Sequence, residues 1–336
     1  MKVSVIGCGF GLALAKLWSG RHEVVLYTKF AEEADVLRRT RENVRVLPGV
    51  LLPDSVRVTS DAADIKGADY TVFAVPSQFL DSTCAELIPY LTGTIISVGK
   101  GFINIDGKPE RLSEIIKTHY PHHPVSVISG PCHAEEVGRG IVTCAVCANS
   151  ADNASDTDIV NTLSTDTFRL YNSSDLIGVE IGGALKNPIA LCAGVLKGYE
   201  AQNKLHGIAT TGDNTFAALV TRGLAEITRL GTEMGADANT FSGLSGIGDL
   251  IVTCGSEHSR NRRAGFLIGQ GMSAADAVKQ VGTVEGYTAL PAMRDLAHQY
   301  RVSAPIAEEL YGVCFENKSP AEAIYNLVTR PYKQER

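Results

Sequence analysis

Val3-Ser4-Val5-Ile6-Gly7-Cys8-Gly9-Phe10-Gly11 is the stretch that decides the fold. A short apolar run is followed by three glycines, by a second apolar segment over residues 12–19, and by another apolar run from Glu23. A strand, a glycine turn, a helix and a second strand in this order are typical of the start of a dinucleotide-binding fold. The glycines would let the backbone approach a pyrophosphate, and the helix N-terminus would offer it free N–H groups.

The glycine turn is one residue shorter than the usual motif, in which the third glycine follows the second by three residues. Leu12 occupies that position, and Gly11 comes one residue early. Either Gly11 does the work of the third glycine in a shortened turn, or Leu12 is tolerated against the strand. The first interpretation is favoured because Ala13 and Ala15 follow as small packing residues. A tighter turn predicts weaker cofactor binding than a full-length turn would give.

The end of the second predicted strand bears on the choice between NAD(H) and NADP(H). An NAD-preferring site usually carries Asp or Glu there, bonded to the ribose 2′-hydroxyl. This chain has Tyr27-Thr28-Lys29 instead. No carboxylate stands at that point of the sequence to repel a 2′-phosphate, and Lys29 could attract one, although it could also be a solvated loop cation. The sequence therefore slightly favours NADPH over NADH.

Length and patterning predict two domains. The chain has 336 residues, more than one typical core holds. Strand patterns stop at about Asp175 and helical patterns follow. We therefore predict an α/β fold, with an N-terminal Rossmann-like doubly wound sheet that binds NAD(P) over residues 1–175. An all-α C-terminal domain over residues 176–336 would carry the substrate and catalytic residues.

Charge and hydropathy exclude some classes of function. The net charge of −6 argues against a nucleic-acid binder, whose domain would usually be basic. The chain opens directly on a strand pattern, and no apolar run reads as long enough to span a bilayer. We therefore expect a cytoplasmic protein without a membrane span.

The eight cysteines are scattered singly through apolar stretches. In a cytosolic chain this pattern indicates reduced core residues and not a disulfide framework. Only Cys144 and Cys147 have metal-like spacing, and in a β-like run they point to opposite faces. Because no second such pair exists, no metal site is predicted.

The strongest candidate for proton transfer is Lys186, which stands beside Asn187 and behind the small residues Gly182-Gly183-Ala184. Small residues let a substrate come close to the backbone, and a lysine amine can give or take a proton. Most lysines are exposed and have no such role. The catalytic interpretation therefore depends on whether other segments supply a cofactor site, a carboxylate and a phosphate anchor.

Three segments supply these parts. Lys100 lies between two glycines after a predicted strand, where ligands of parallel sheets gather. Asp249 comes near the end of a glycine-rich segment, residues 243–250, that we interpret as a turn delivering a carboxylate. Ser259 is a good N-cap, so Arg260 and Asn261 would lie in the first turn of a helix and form a phosphate seat. Alternatively, this segment is only a basic helix end.

These segments together resemble a known family. Over nearly its full length the chain resembles the NAD(P)-dependent glycerol-3-phosphate dehydrogenases of the bacterial type. The matching segments, in chain order, are Leu47-Pro48-Gly49, Ala74-Val75-Pro76-Ser77-Gln78, Gly99-Lys100-Gly101, Ser129-Gly130-Pro131, Gly178-Val179-Glu180, Gly183-Ala184-Leu185-Lys186-Asn187, Thr221-Arg222-Gly223-Leu224-Ala225-Glu226, Gly246-Ile247-Gly248-Asp249-Leu250-Ile251-Val252-Thr253-Cys254, Ser259-Arg260-Asn261 and Val284-Glu285-Gly286.

The resemblance implies an activity and a set of site residues. The activity is the interconversion of sn-glycerol 3-phosphate and dihydroxyacetone phosphate with NAD(P)(H), which supplies glycerol 3-phosphate for glycerophospholipid synthesis. Lys186 would be the catalytic proton donor and acceptor, and the protein would be a homodimer. The implied contacts of the small phosphorylated substrate are Lys100, Gly130, Cys132, Lys186, Asn187, Asp249, Ser259, Arg260 and Asn261. The implied cofactor contacts are Gly7, Gly9, Phe10, Gly11, Lys29, Pro76, Lys100, Ala134, Arg260, Thr283 and Glu285.

Several positions depart from the family pattern. Phe10 stands where a serine–tryptophan pair is common, and Lys29 replaces an arginine. Cys132 replaces a serine or threonine and would make a weaker hydrogen bond to substrate. Pro188 follows the catalytic Lys-Asn pair, and a proline inside a helix removes one backbone bond and kinks it. Pro188 could therefore change the direction in which Lys186 points.

Two alternatives remain at this point. A β-hydroxyacid or sugar-acid dehydrogenase shares the two-domain layout and a catalytic lysine, but its substrate carboxylate would need its own anchor. A non-catalytic NADP(H)-binding protein would explain the shortened glycine turn. The presence together of Lys100, Lys186, Asp249 and Arg260 favours an enzyme, because a binding protein needs no proton donor.

Overall fold

The computed structural model describes residues 1–150, 158–202, 211–332 and 334. The chain divides into two compact units, Met1–Glu180 and Ile181–Arg336. The first is built on a sheet, and the described part of the second is helical, so the predicted fold class is confirmed. The division into domains at residues 175 and 176 stays a prediction.

The first unit contains ten strands in its described residues. They are β1 (Lys2–Ile6), β2 (Glu23–Tyr27), β3 (Arg57–Thr59), β4 (Tyr70–Phe73), β5 (Thr94–Ser97), β6 (Phe102–Ile105), β7 (Lys108–Arg111), β8 (Val125–Ser129), β9 (Thr143–Asn149) and β10 (Phe168–Ser173). Eight of them form one sheet in the order β10-β9-β8-β5-β4-β1-β2-β3. All neighbours run parallel except β8 and β9, and β6 and β7 form a separate antiparallel hairpin.

Fourteen α-helices lie in the described residues. They are α1 (Phe10–Trp18), α2 (Ala31–Thr40), α3 (Leu80–Leu87), α4 (Leu112–His119), α5 (Ala134–Gly138), α6 (Asp158–Leu163), α7 (Leu176–Gln202), α8 (Asp213–Glu233), α9 (Asp249–Gly255), α10 (Arg260–Gly269), α11 (Ala274–Val281), α12 (Glu285–Gln299), α13 (Pro305–Phe315) and α14 (Pro320–Val328). Serine side chains cap the N-termini of α10, α11 and α14, which explains where these helices begin.

The sheet brings the ligand-facing ends of its central strands to one edge. β1 lies between β2 and β4, with Val5 opposite Leu26 on one side and Val72 on the other. These strands are apolar on both faces and buried, as parallel strands covered by helices are. The strand order reverses between β1 and β4, and ligands of such sheets bind beside that point. The glycine turn after β1 therefore lies where a dinucleotide is expected.

The geometry of the shortened glycine turn supports the interpretation that Gly11 does the work of the third glycine. Gly7 has φ of 108°, a left-handed conformation that side chains rarely adopt. A Cβ on Gly11 would lie 2.9 Å from Val5 Cγ1, so Gly11 packs α1 closely against β1. Leu12 is fully buried in the core. Gly11 thus does the packing work of the third glycine, one residue early.

The second unit is organised around α7, which begins in the first unit and is buried along most of its length. Gly194 and Gly198 on α7 face Gly265 and Gly269 on α10. A Cβ on any of the four would lie less than 3.0 Å from a backbone carbonyl oxygen of the opposite helix. The two backbones therefore touch, and α10 has a fixed position against the helix that carries Lys186.

α7 contains Pro188 as the sequence predicts, and one other expectation about this helix needs revision. The helix continues through Pro188, which lies inside Leu176–Gln202. By length and composition α7 is apolar enough to cross a membrane. The prediction that the chain has no apolar run of that length is therefore wrong. However, 89% of its apolar window is buried inside the protein, which is typical of the core helix of a globular protein.

All eight cysteines lie within the described residues, and no disulfide joins any of them. Burial raises the pKa of the thiols of Cys8, Cys84, Cys192, Cys254 and Cys314. These five thiols therefore stay protonated at neutral pH, as expected for reduced core residues.

Candidate active site

Lys186 is a buried residue of the second unit and not the surface lysine that its residue type would suggest. Lys186 is only 5% exposed, and it lies in the middle of α7. The ammonium donates hydrogen bonds to the Asp249 carboxylate and, at 2.7 Å from Nζ, to Thr253 Oγ1. A buried ammonium held by a carboxylate and a hydroxyl has the chemistry of a positioned proton donor.

Asp249 reaches Lys186 from a helix, so the interpretation of residues 243–250 as a turn is wrong. Residues Ala238–Ser242 form a 3₁₀ helix, Leu244–Gly248 a π-helical turn, and α9 begins at Asp249 itself. Gly182 of α7 allows this segment to approach, since a Cβ there would lie under 3.0 Å from the Ser245 backbone. Gly246, within this stretch, serves packing in the same way, since a Cβ there would lie under 3.0 Å from the Phe241 backbone.

Thr253 is a candidate site residue that the sequence reasoning missed. Its hydroxyl donates to the Asp249 backbone oxygen at 2.6 Å and so presents a lone pair to the Lys186 ammonium. Asp249 and Thr253 share one face of α9 because they are four residues apart on a helix. That spacing would have revealed Thr253 if the segment had been recognised as helical.

Asn187, next to Lys186, ties three helices of the second unit together. Its Oδ1 accepts from Asn261 Nδ2 at 2.9 Å, and its Nδ2 donates to Glu285 Oε2 at 3.3 Å. Asn261 Oδ1 in turn accepts from the Gly286 backbone N–H at 2.7 Å. The network joins α7, α10 and the N-terminus of α12. Glu285 begins α12, and Thr283 lies two residues before it, half-buried.

The predicted N-cap of α10 is confirmed. Ser259 Oγ accepts from the Arg262 backbone N–H at 3.2 Å, and Arg260 and Asn261 occupy the first turn. Arg260 is exposed, whereas Asn261 is buried in the asparagine network. A helix N-terminus beside an exposed guanidinium can bind an anion.

Most of the cofactor candidates of the first unit lie at the carboxyl ends of β1, β4 and β5. Gly7 leaves no room for a side chain, because a Cβ there would lie 2.8 Å from the Ala74 backbone oxygen after β4. Gly9 and Phe10 complete the turn into α1. Pro76 precedes a short 3₁₀ turn, and Gly101 packs against Ser77 in that turn. The missing side chains at Gly7 and Gly11 let the turn and the start of α1 pack closely against β1 and Ala74.

Lys100 and the loop after β8 form a second cluster in the same unit. Lys100 Nζ donates to the Gly130 backbone oxygen at 2.9 Å and lies 3.6 Å from Cys132 Sγ. The Cys132 thiol also donates to the Gly130 oxygen, at 3.1 Å. Ala134 follows as the first residue of α5. The structure therefore brings together three predicted substrate contacts: Lys100, Gly130 and Cys132.

The end of β2 differs from the sequence interpretation. Lys29 is exposed, with its ammonium 5.5 Å from the Phe30 ring centroid and 5.9 Å from that of Phe79. The statement that no carboxylate stands at this point is wrong, because Glu33 of α2 folds back to it. Its Oε2 accepts from the Thr28 hydroxyl at 2.6 Å. The sequence reasoning missed Glu33 because the residue is six positions beyond the strand end.

No group of three or more His, Cys, Asp or Glu side chains that could hold a metal ion occurs in the described part of the chain. Cys144 and Cys147 both lie on β9, where the first is half-buried and the second fully buried.

Both halves of the chain match models of one known family. Residues 2–155 match the N-terminal model of the NAD-dependent glycerol-3-phosphate dehydrogenases, and residues 175–325 match the C-terminal model of the same family. Glycerol-3-phosphate dehydrogenase [NAD(P)+] of Desulfitobacterium hafniense is 44% identical, over 99% of this chain and 93% of its own length. The enzyme of the same name from Moorella thermoacetica is also 44% identical, over 99% and 97%.

Solved structures agree with this assignment. The crystal structure of glycerol-3-phosphate dehydrogenase from Coxiella burnetii has a TM-score of 0.89 and 29% identity, and the match covers 98% of this chain and 99% of that one. The enzyme from Saccharomyces cerevisiae has a TM-score of 0.82 at 24% identity, over 98% of this chain and 99% of that one, which supports the fold alone. The sequence-based family and enzyme class are therefore confirmed, and the chain belongs to the NAD-dependent glycerol-3-phosphate dehydrogenase family, whose members are NAD(P)-dependent oxidoreductases.

Proposed function

We propose that this chain interconverts sn-glycerol 3-phosphate and dihydroxyacetone phosphate with Lys186 as its catalytic residue. The observation that carries the proposal is the buried ammonium of Lys186, held between Asp249 and Thr253. An ammonium that only stabilised the fold would gain little from this arrangement, because burying an ion pair costs about as much as the pair returns. A proton donor, in contrast, needs a fixed direction and exclusion of water.

The proposed mechanism assigns one task to each group. When bound, the reduced nicotinamide supplies the hydride to the carbonyl carbon of dihydroxyacetone phosphate. Lys186 Nζ gives a proton to the carbonyl oxygen as that oxygen gains charge, and takes the proton back in the reverse direction. Asp249 and Thr253 hold the amine in one orientation throughout. Such proton transfer is typically worth about 10²–10⁴-fold in rate.

The substrate phosphate is proposed to bind at the N-terminus of α10. Ser259 caps this helix and Arg260 is exposed in its first turn, so charge and N–H donors coincide there. The remaining proposed substrate contacts are Lys100, Gly130, Cys132, Asn187, Asp249 and Asn261. Asn187 and Asn261 bond to each other, so they also hold α10 beside Lys186.

The cofactor is proposed to lie along the glycine turn and the neighbouring strand ends. Its proposed contacts are Gly7, Gly9, Phe10, Gly11, Lys29, Pro76, Lys100, Ala134, Arg260, Thr283 and Glu285. We further propose that residues 1–175 are the cofactor domain and residues 176–336 the substrate domain. The protein is proposed to work as a cytoplasmic homodimer that supplies glycerol 3-phosphate for glycerophospholipid synthesis.

One assay tests the activity directly. Oxidation of NADH and of NADPH is followed separately with dihydroxyacetone phosphate as substrate, and formation of glycerol 3-phosphate is checked by mass spectrometry. We expect turnover with at least one nucleotide. Absence of turnover with both, in a folded protein, would contradict the proposal. Turnover with an unphosphorylated β-hydroxyacid and its keto form would instead favour the hydroxyacid dehydrogenases.

A second experiment tests the phosphate seat. Arg260→Ala is expected to raise KM for dihydroxyacetone phosphate at least tenfold with a smaller change in kcat, because it removes a charge-assisted contact. Arg263→Ala is the matched control, since Arg263 is exposed on the same helix one turn further on. Equal effects of the two variants on KM would show that the substrate phosphate binds at another place.

A further inference from the structure

Glu33 brings a carboxylate to the end of β2 that the linear sequence does not show. It is the third residue of α2, and its Oε2 accepts from Thr28 Oγ1 at 2.6 Å. Thr28 directly follows β2 and is buried. The carboxylate therefore occupies the position at which NAD-preferring folds usually place an acidic residue at the strand end itself.

The same carboxylate adjoins the glycine turn. Asn43 Nδ2 donates to Glu33 Oε1 at 3.3 Å and lies 3.5 Å from the backbone oxygen of Cys8. Cys8 stands between the first two glycines of the turn. Burial is the main reason that the pKa of the Cys8 thiol is raised, and the negative charge of Glu33 raises it further. Glu33 is thus close to both the turn and the strand end.

The glycine turn and the end of β2 lie on either side of the expected position of the adenosine ribose. In dinucleotide-binding folds the pyrophosphate lies on the glycine turn, and the ribose hydroxyls face the end of the second strand. A carboxylate at this point can accept a hydrogen bond from a 2′-hydroxyl. It would repel a 2′-phosphate, which carries a charge of about −1.5 to −2 near pH 7.

Lys29 is the neighbouring cation that could pair with this carboxylate. No ion pair joins Lys29 to Glu33 within the residues that the structure describes, although the two are only four positions apart. Lys29 Nζ lies instead near the rings of Phe30 and Phe79, which are 60% and 48% exposed. A 2′-phosphate beside the glycine turn would therefore meet the Glu33 carboxylate without a salt bridge from Lys29 to offset it.

We propose that Glu33 is a specificity-determining residue that makes this enzyme prefer NAD(H) to NADP(H). The inference rests on the proposed function, in that the glycine turn must hold the cofactor. It reverses the preference for NADPH that the strand end alone indicates. The proposed selection acts on the adenosine half of the cofactor and is independent of the chemistry at Lys186.

Direct binding to the full-length protein tests this proposal without any turnover. Calorimetry would give the Kd of NADH, NADPH, 5′-AMP and adenosine 2′,5′-bisphosphate for the wild type, Glu33→Gln and Glu32→Gln. Glu32 is the matched control because it is exposed on the same turn of α2 and loses the same charge. We expect the wild type to bind NADH at least tenfold more tightly than NADPH. Glu33→Gln should shrink that ratio at least tenfold, and Glu32→Gln should change it less than twofold.

The outcomes separate this inference from the proposed function. If both nucleotides bind but Glu33→Gln leaves their ratio unchanged, or the wild type prefers NADPH, the role of Glu33 is refuted and the cofactor site stands. If the folded wild type binds neither nucleotide, the proposed function fails and the inference fails with it. Glu33→Ala, with melting temperatures for every variant, guards against misfolding of Glu33→Gln, and both variants must shift the ratio in the same direction.

Discussion

The glycine turn of the first unit and the Lys186 cluster of the second are built in opposite ways. The turn consists of backbone, and Gly7 and Gly11 matter because a side chain there would strike Ala74 or Val5. The Lys186 cluster consists of buried side chains, and the Lys186 ammonium has identified partners in Asp249 and Thr253. One site is shaped by the absence of side chains and the other by their mutual hydrogen bonds.

The difference teaches which changes each site tolerates. A turn that binds through N–H groups keeps its donors whatever the side chains are, so changes of length and charge should alter affinity by modest factors. A buried network fails when one member is lost, because the remaining groups are left unpaired in a poorly solvating interior. Loss of a member of the Lys186 cluster should therefore have a larger effect than a change to the glycine turn.

The largest effect is expected from Lys186→Ala. It removes the proposed proton donor, so kcat should fall by about 10²–10⁴-fold, while NADH affinity should change less than threefold. Stopped-flow turnover and calorimetry would measure the two quantities. Lys197→Ala, at a half-buried position of the same helix where the lysine pairs with Glu200, is the control and should stay within twofold of the wild type. A kcat for Lys186→Ala within tenfold of the wild type would rule out the proposed role.

The next effect concerns the helix crossing that positions α10. Replacing Gly by Ala inside a helix usually stabilises it by about 0.5–1 kcal/mol. Gly194→Ala should instead destabilise by about 2–4 kcal/mol, because its Cβ would collide with the Arg262 carbonyl of α10. Gly255→Ala is the control, since its Cβ would meet nothing within 4 Å. Denaturant unfolding decides the matter, and stabilisation by Gly194→Ala would show that the backbones do not touch.

A third test concerns Glu226, a buried carboxylate that caps α13. Unlike Asp249, which accepts from the Lys186 ammonium, Glu226 accepts from backbone N–H groups. Glu226 Oε1 accepts from the Ile306 N–H at 2.8 Å and Oε2 from the Ala307 N–H at 3.3 Å. Burial raises the pKa of Glu226 to about 7, although these bonds and the positive charges of Arg229 and Arg330 oppose the shift. Because the folded pKa exceeds the unfolded value, its stabilising contribution is complete below about pH 4.5 and is lost as the pH rises through 7.

The change that tests this is Glu226→Gln. Relative to the wild type, this variant should be more stable at pH 8 than at pH 5, by about 2 kcal/mol. Unfolding free energies at the two pH values would show the difference. Glu233→Gln, exposed at the end of the same helix, should show no such dependence. No difference between the two pH values would mean that Glu226 is already ionised in the folded protein throughout this range.

A smaller loss is expected from Thr253→Val, which keeps the shape of the side chain but removes an acceptor for the Lys186 ammonium. Turnover should fall about tenfold, equivalent to about 1.4 kcal/mol, with NADH affinity unchanged. Thr221→Val is the control, because the Thr221 hydroxyl makes the same kind of bond, to Ala217 O at 2.9 Å, on an exposed helix face. Equal kcat values for the two variants would show that the Thr253 hydroxyl has no role in turnover.

The smallest effect is expected at the glycine turn. Inserting one serine after Phe10 restores the usual length, and NADH should bind a few-fold more tightly, because the pyrophosphate gains room. A serine inserted after Gly20, in the exposed turn before β2, is the control for the insertion itself. Unchanged or weaker NADH binding after the Phe10 insertion would show that the short turn is already well adapted.

Local sequence signals predicted the parts of the molecule that depend on chain neighbours. The strand–glycine–helix pattern over residues 3–19 and the N-cap at Ser259 were both readable, because turn geometry and capping involve adjacent residues. The segment at residues 243–250 was misread because glycines usually mark turns. Here they mark close helix packing, as at Gly246, where a Cβ would meet the Phe241 backbone.

By itself, the sequence determined the two-part architecture, the family and the identity of Lys186 as the leading candidate, since these depend on order and spacing along the chain. Only the tertiary structure decided that Lys186 is buried, that Thr253 joins Asp249 around it, and that Glu33 folds back to the end of β2. The physical reason is that burial and hydrogen bonding depend on which distant segments meet. That meeting is set by how helices pack, here through glycines whose missing side chains let two backbones touch.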